Sequence, residues 1–182
     1  MLKFRAIYLG GLLMIISFDL DDTLFVSEDK FDVEKPLPFP LNVIYKERLR
    51  LGSIELMKYI RKRGMGLWIY TTSYRSVGYI KGLFRLYGVK IDNVINGQRH
   101  ADEVQIGHLE GMPSKYPSKY RIDLHIDDDI SVMQNGKIYG FNVFLISVQD
   151  NEWVDKIKKE VARIEKKKGR CIQNDKRKRF SN

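Results

Sequence analysis

The sequence predicts an α/β fold: a doubly wound, three-layer arrangement with a mostly parallel sheet and helices on both faces. Three observations carry this reading. Apolar runs of strand length recur along the chain, as in buried parallel strands. Segments with helical periodicity lie between them. Strands alternating with helices imply right-handed crossovers, which wind a chain into this architecture.

The runs are "LLMIISF" (residues 12–18), "GLWIY" (66–70), "NVI" (93–95), "DLHI" (123–126) and "FNVFLIS" (141–147). Between the first two, Ser53 is placed to cap a helix whose apolar positions Ile54, Met57 and Ile60 or Leu56 recur at three- and four-residue intervals and which closes at Gly64. A second helix is expected from about Arg75 through Ile80, Leu83, Phe84 and Tyr87 to Gly88. A third carries Trp153, Ile157, Val161 and Ile164 on one face, with Trp153 anchoring it to the sheet. Residues 25–50, punctuated by Pro36, Pro38 and Pro40, read as an irregular excursion too short to form a domain.

The 182 residues suit one domain able to bury about 70% of its unfolded surface. We read residues 1–13 as a leader or upstream start, because Met14 opens a natural first strand, then a domain over 14–165 and a basic tail over 166–182. The apolar start is not expected to be a secretory signal or anchor: no small-residue cleavage site follows, the run ends in "DLDD", and about 14 residues cannot span a bilayer. A single cysteine, Cys171, allows no internal disulfide and points to a reducing, cytoplasmic setting. The net charge is +9, of which residues 166–182 supply +7 from eight basic residues and one acid, leaving +2 for the remainder. Such a tail is expected to be solvated and disordered, open to weak, non-specific contact with nucleic acid or acidic surfaces.

The chemistry collects where the runs end. The first run leads into Asp19, Asp21, Asp22 and Thr23, the second into Thr71 and Thr72, and the fourth into Asp127, Asp128 and Asp129. Ionised carboxylates leave water at a cost of several kcal/mol unless a cation or hydrogen bonds compensate them. In open α/β sheets ligands bind beyond the carboxyl ends of the strands. Two carboxylate clusters meeting there suit a hard divalent cation such as Mg2+, which leaves positions open for a phosphate oxygen. A second cation is then wanted, and "SKYPSKY" offers Lys115 and Lys119. The strand from Ile122 to Asp127 climbs about 17 Å. The seven residues from Lys115 to Ile122 can span about 23 Å, the three from Lys119 only about 10 Å, so Lys115 is the better candidate.

Asp19-Leu20-Asp21-Asp22-Thr23, then Thr71 after a strand, then Lys115, then Asp127-Asp128, resembles in order and setting the four motifs of the haloacid dehalogenase (HAD) superfamily, over roughly residues 14–150. The resemblance implies a Rossmann-like, HAD-like catalytic domain with a minimal cap or none, since residues 25–50 and 96–114 are each too short for an independent core. It implies a phosphatase. Asp19 would be the nucleophile that forms an aspartyl-phosphate. Asp21 would protonate the leaving oxygen and then activate water, its backbone carbonyl binding the metal. Thr71 would hydrogen-bond the phosphoryl group, Lys115 would neutralise charge, and Asp127 and Asp128 would hold Mg2+ with Asp19 and Asp21. Thr72 is the alternative to Thr71 and a candidate substrate contact. Arg75 is placed to meet a leaving group. Asp129 is expected to point outwards.

His100, His108 and His125 lack metal-ligand spacing and read as structural. The implied substrate is a phosphorylated small molecule or polymer end, and the open site leaves room for an oligomeric partner. A nucleotide or polynucleotide-end phosphatase steered by the tail is a narrower version. A phosphoacceptor or binding module without turnover fits less well, because every expected chemical group is present and because receivers place the acceptor aspartate on a middle strand after an early acidic pair. Here the D-x-D-x-T comes first.

Overall fold

Each apolar run supplies one strand. The computed structural model describes residues 14–107, 111–147 and 149–179, with side chains described as far as residue 169. The strands are β1 (Ile15–Phe18), β2 (Gly66–Tyr70), β3 (Asn93–Ile95), β4 (Leu124–Asp127) and β5 (Val143–Leu145). All pair in parallel in the order β3-β2-β1-β4-β5, with Phe18 opposite Ile69 on one side and Ile126 on the other. The chain winds from β1 out to β3, then crosses back to β4. The winding direction therefore reverses between β1 and β4, and the crevice above such a reversal is where ligands bind in this architecture.

The helices are α1 (Leu41–Ile44), α2 (Ser53–Lys62), α3 (Val77–Leu86), α4 (Gly97–His100), α5 (Ile130–Tyr139) and α6 (Trp153–Arg179). One face of the sheet presents Ile16, Phe18, Leu67, Ile69, Leu124 and Ile126 to α2, α3 and α6, forming the main core. Each of these side chains is essentially inaccessible, and burial of this kind contributes roughly 1.5–3 kcal/mol per side chain. The other face is thinner and more polar. There Ile15, Trp68, Tyr70 and Ile95 meet Tyr120 and Ile122, and the intervening strand positions are Ser17 and His125. Strand parity puts Asp19 and Asp127 on this polar face as well.

Two expectations about helix ends need correction. Ser53 is the first residue of α2 rather than its cap: Gly52, at φ 88°, precedes the helix, and the Ser53 hydroxyl donates to the Arg50 carbonyl. The orphan N–H groups of Gly52 and Ile54 donate instead to the Glu34 carboxylate, supplied by the excursion. The tail is the second. The backbone of α6 continues through residues 166–179 as helix, where the sequence predicts disorder. Lysine and arginine are good helix formers, and a helix already nucleated on the core by Trp153, Ile157, Val161 and Ile164 extends at little cost per residue. The expected leader, residues 1–13, lies outside the described residues, as does His108.

The excursion folds back on the domain without a core of its own. Phe25 pairs with Leu49 and Val33 with Arg50, both antiparallel. Arg50 is buried with its guanidinium between the rings of Phe31 and Trp153, and it donates to the carbonyls of Ser147 and Asp150. Trp153 in turn donates to the Leu51 carbonyl, so one tryptophan ties the excursion to α6. No helix among the described residues is long and apolar enough to cross a membrane.

Candidate active site

β1 ends at Phe18, and Asp19 follows with its N–H donated to the Ile126 carbonyl at 2.9 Å. The chain then turns sharply. Leu24 and Phe25 both donate to the Leu20 carbonyl, Asp22 takes a left-handed conformation at φ 57°, and Asp21 is left half-exposed at the tip. An aspartate tolerates that conformation better than most residues, which is one reason the turn is built from acids. Thr23 is buried beneath the turn and donates to Asp128 Oδ1 at 2.9 Å.

Asp19 and Asp127 stand level across the β1–β4 register, and Lys115 sits between them. Its Nζ lies 2.7 Å from Asp19 Oδ1 and 2.6 Å from Asp127 Oδ2, with 3% of the residue exposed. Lys115 reaches the site from the polar face, as the climb of the chain required; Lys119 lies on the short 3-10 turn Pro117–Tyr120, exposed to solvent. Asp127 is fully engaged: Oδ2 also accepts from His125 Nε2 at 2.8 Å, and Oδ1 accepts from the Asp129 N–H at 2.9 Å. Asp129 itself is exposed and caps α5 by accepting from the Ser131 N–H.

Burial drives the titration of these groups, and charge then sorts them. Asp19 is raised to about 7, chiefly by burial and further by Asp127, against the pull of Lys115. Burial opposes ionisation of Asp127 too, but the His125 and Lys115 contacts outweigh it and hold that carboxyl below the ordinary range. Burial works against the Lys115 ammonium, yet the two carboxylates prevail and raise it. Burial keeps His125 low and therefore neutral, so it donates from Nε2 to Asp127 and accepts at Nδ1 from the Ser17 hydroxyl at 2.8 Å. The Ser17–His125–Asp127 chain has the residue types of a hydrolytic triad, but Ser17 is wholly buried and cannot meet a substrate. It is a support for Asp127.

Asp19, Asp127 and Asp128 each place a carboxylate oxygen within 4.8 Å of the others. Asp19 Oδ1 has no well-aligned hydrogen-bond donor despite its burial. Three converging carboxylate oxygens fit a hard divalent cation.

The remaining candidates divide. Thr71 follows β2 with 1% exposure and accepts from the Ser73 N–H, which leaves its own hydroxyl hydrogen to donate. The β1–β2 register sets Thr71 just above the level of Asp19. Thr72 is exposed, and its carbonyl packs against Gly97. Arg75 does not join the aspartate cluster. It pairs with Asp21 at 2.9 Å and Glu47 at 2.9 Å, over the ring of Phe25, and burial of its guanidinium is outweighed by these two acids, which raise it. Asp21 and Arg75 border a groove of about 610 Å³ that Phe25, Glu47 and Arg48 also line.

Sequence reasoning missed the parts played by His125, Ser17 and Glu47. The signal for the first two was available. His125 occupies the same strand face as Asp127, and Ser17 is its register partner on β1. Glu47 lies in the irregular excursion and had no period to mark it.

No family model matches the chain, and no curated protein does. Among solved structures, similar folds are found in HAD-superfamily hydrolases. One is a subfamily IA, variant 1 hydrolase from Geobacter sulfurreducens, 13% identical with a TM-score of 0.47, matching 73% of this chain and 89% of that one. Another is D,D-heptose 1,7-bisphosphate phosphatase from B. bronchiseptica complexed with magnesium and phosphate, 13% identical with a TM-score of 0.45, over 73% of this chain and 80% of that one. A HAD-like family hydrolase from Porphyromonas gingivalis is 12% identical with a TM-score of 0.46, over 83% and 98%. These likenesses concern the fold alone.

Proposed function

We propose that the chain is a Mg2+-dependent phosphomonoester hydrolase of HAD type that works through an aspartyl-phosphate on Asp19. The observation that carries this reading is the meeting of Asp19, Lys115, Asp127 and Asp128 above the reversal in strand order.

Asp19 is the buried carboxylate that follows β1 at the centre of the cluster, its Oδ1 held by the Lys115 ammonium, which suits it to attack. Its oxygen forms a bond to phosphorus as the ester P–O bond breaks, and Asp21 gives a proton to the departing oxygen. Asp21 then takes a proton from water as that water attacks phosphorus, releasing phosphate and restoring Asp19. Lys115 and the Thr71 hydroxyl face the charge that develops on the phosphoryl oxygens. Asp19, Asp127 and Asp128, with the Asp21 carbonyl, would hold magnesium, which when bound screens phosphoryl charge and orients the ester. In this reading the groove beside Asp21 takes the leaving group, and Arg75, which borders it, contacts the rest of the substrate. With so little built over the site, a phosphorylated small molecule or a bulky phosphorylated end can both approach.

The test is a panel of phosphate esters assayed with Mg2+ on the wild type and on Asp19→Asn, with and without chelator. Turnover should vanish in the variant and on chelation. Turnover that persists in Asp19→Asn would overturn the assignment of the nucleophile.

A further inference from the structure

The basic end of α6 leaves the domain on the side away from the site. α6 begins beside Leu51 and runs back along the sheet, so that Lys168 pairs with Asp123, just before β4, at 2.7 Å, and Glu165 with Arg63, which follows α2. Both partners lie at the edge where the strands begin. Asp19 lies where they end, and the helix from Lys168 to Arg179 adds about 16 Å in the opposite direction.

That far edge is basic beyond the tail. α2, α3 and α5 all end there, with Lys62, Arg85 and Lys137 exposed, and the turns into β3 and β4 add Lys90 and Arg121. The acids described at this edge are already engaged: Asp92 by Arg61, Asp123 by Lys168 and Glu165 by Arg63. Basic residues in last turns complement the carbonyl ends of helices, which accounts for one or two per helix. It does not account for eight basic residues and one acid in the fourteen from Lys166 to Arg179. The edge that holds the site is mixed: it carries the exposed or half-exposed acids Asp21, Asp22, Asp128 and Asp129 beside Lys46, Arg48 and Arg75, the last paired with Asp21.

We infer that the strand-start edge, continued by α6, is a docking surface for nucleic acid, separate from the catalytic edge. Repeating phosphates match a dense run of cations, eight in the fourteen residues from Lys166 to Arg179. Composition argues against a lipid surface, because residues 166–179 contain only Cys171 and Ile172 as apolar residues, too few to anchor an insertion. The bound strand is held as a tether rather than as a substrate end, since its contacts face away from Asp19.

The probe is a fluorescein-labelled 20-nucleotide RNA made with a 3′-hydroxyl or a 3′-phosphate, titrated in chelator by anisotropy over a range of salt. Five to eight phosphate contacts on a single strand give a slope of log K against log salt of roughly −4 to −6. Two variants are compared with the full chain: removal of residues 166–182, and the full-length Lys166→Gln, Lys167→Gln, Lys176→Gln, Arg177→Gln combination. Both should bind at least tenfold more weakly, the second with a slope shallower by about 2 to 3. Both RNAs should bind equally, and p-nitrophenyl phosphate turnover should stay at the wild-type value in both variants. Undiminished binding by both variants would overturn the inference, as would tighter binding to phosphatidylserine vesicles than to RNA. Preference for the 3′-phosphate, lost together with its turnover on neutralisation, would overturn it differently, by showing that the tail serves the catalytic edge. Binding is read without turnover, so this result stands apart from that of the Asp19→Asn assay.

Discussion

Replacing Lys115 by methionine keeps an unbranched stem in the same space and removes the ammonium. Two carboxylates 2.7 and 2.6 Å from that nitrogen then remain buried without it. Breaking a buried ion pair from one side costs roughly 3–5 kcal/mol, and proton uptake limits the loss. Asp19 titrates near 7 with the lysine present, and the lysine charge is a lowering influence on it, so in Lys115→Met the carboxyl moves above 7. A carboxyl raised in the folded state is least costly below its unfolded value of 3.8, and its stability contribution is lost as pH climbs through the folded value. In the wild type that loss is nearly complete by pH 8. In the variant it continues, at about 1.4 kcal/mol per pH unit. Asp127, lowered in the wild type, contributes stability above its unfolded value and loses it only in strong acid, so it is constant over this window. Urea unfolding of both proteins in chelator at pH 6, 7 and 8 should therefore show a gap that widens by up to about 1 kcal/mol between pH 7 and 8, because the wild type still loses roughly 0.4 kcal/mol over that unit. A gap below about 1 kcal/mol that stays flat with pH would refute the claim that the lysine neutralises buried charge. Turnover should fall roughly 10²–10³-fold, the scale of losing one preorganised donor at a developing charge.

His125→Leu removes a donor from Asp127 and leaves the buried Ser17 hydroxyl unpaired, which should cost about 1–3 kcal/mol in urea unfolding. Magnesium affinity by titration calorimetry should weaken about 10- to 100-fold, and unchanged affinity would show that Asp127 needs no such support. Gly97→Ala would press a methyl group into the Thr72 carbonyl and, at 3.0 Å, the Tyr74 ring, so the Thr71–Thr72 strand end must shift. We expect a loss of about 1–3 kcal/mol and reduced turnover, with wild-type melting as the contrary result. Added Mg2+ should stabilise the wild type by about 2.7 kcal/mol at 100 times its dissociation constant, and much less in Asp128→Asn; equal thermal shifts in the two would remove Asp128 from the ion's ligands.

The strands and the strand-end carboxylates were legible because both follow from burial. An apolar run must be covered, and an acid at its end must be compensated, so position and chemistry can be read together. Lys115 was legible for a geometric reason, the reach of the chain from "SKYPSKY" to β4. α5 was not expected, because only Val132 and Gly136 among its residues are buried, so it presents no apolar stripe; its start is fixed by the Asp129 cap instead. Arg75 and Glu47 show a different limit. Arg75 lies in a short linker and Glu47 in an excursion, and their meeting at Asp21 depends on how that excursion folds back, which no local period records.

Strand parity explains why the supports of the site are polar in an otherwise apolar sheet. Side chains alternate along a strand, so Asp19 and Asp127 commit the face of Ser17 and His125 to their side, while Phe18 and Ile126 face the main core. A chain that needed only stability would fill positions 17 and 125 with aliphatic residues, since a buried serine–histidine pair contributes little net energy when satisfied and costs about 1–3 kcal/mol when broken. The pair is intelligible once Asp127 is considered. An anion held low by His125 and Lys115 stays ionised beside Asp19, and that leaves Asp19, whose burial keeps it near neutrality, as the carboxyl of the pair most sensitive to the arrival of a cation.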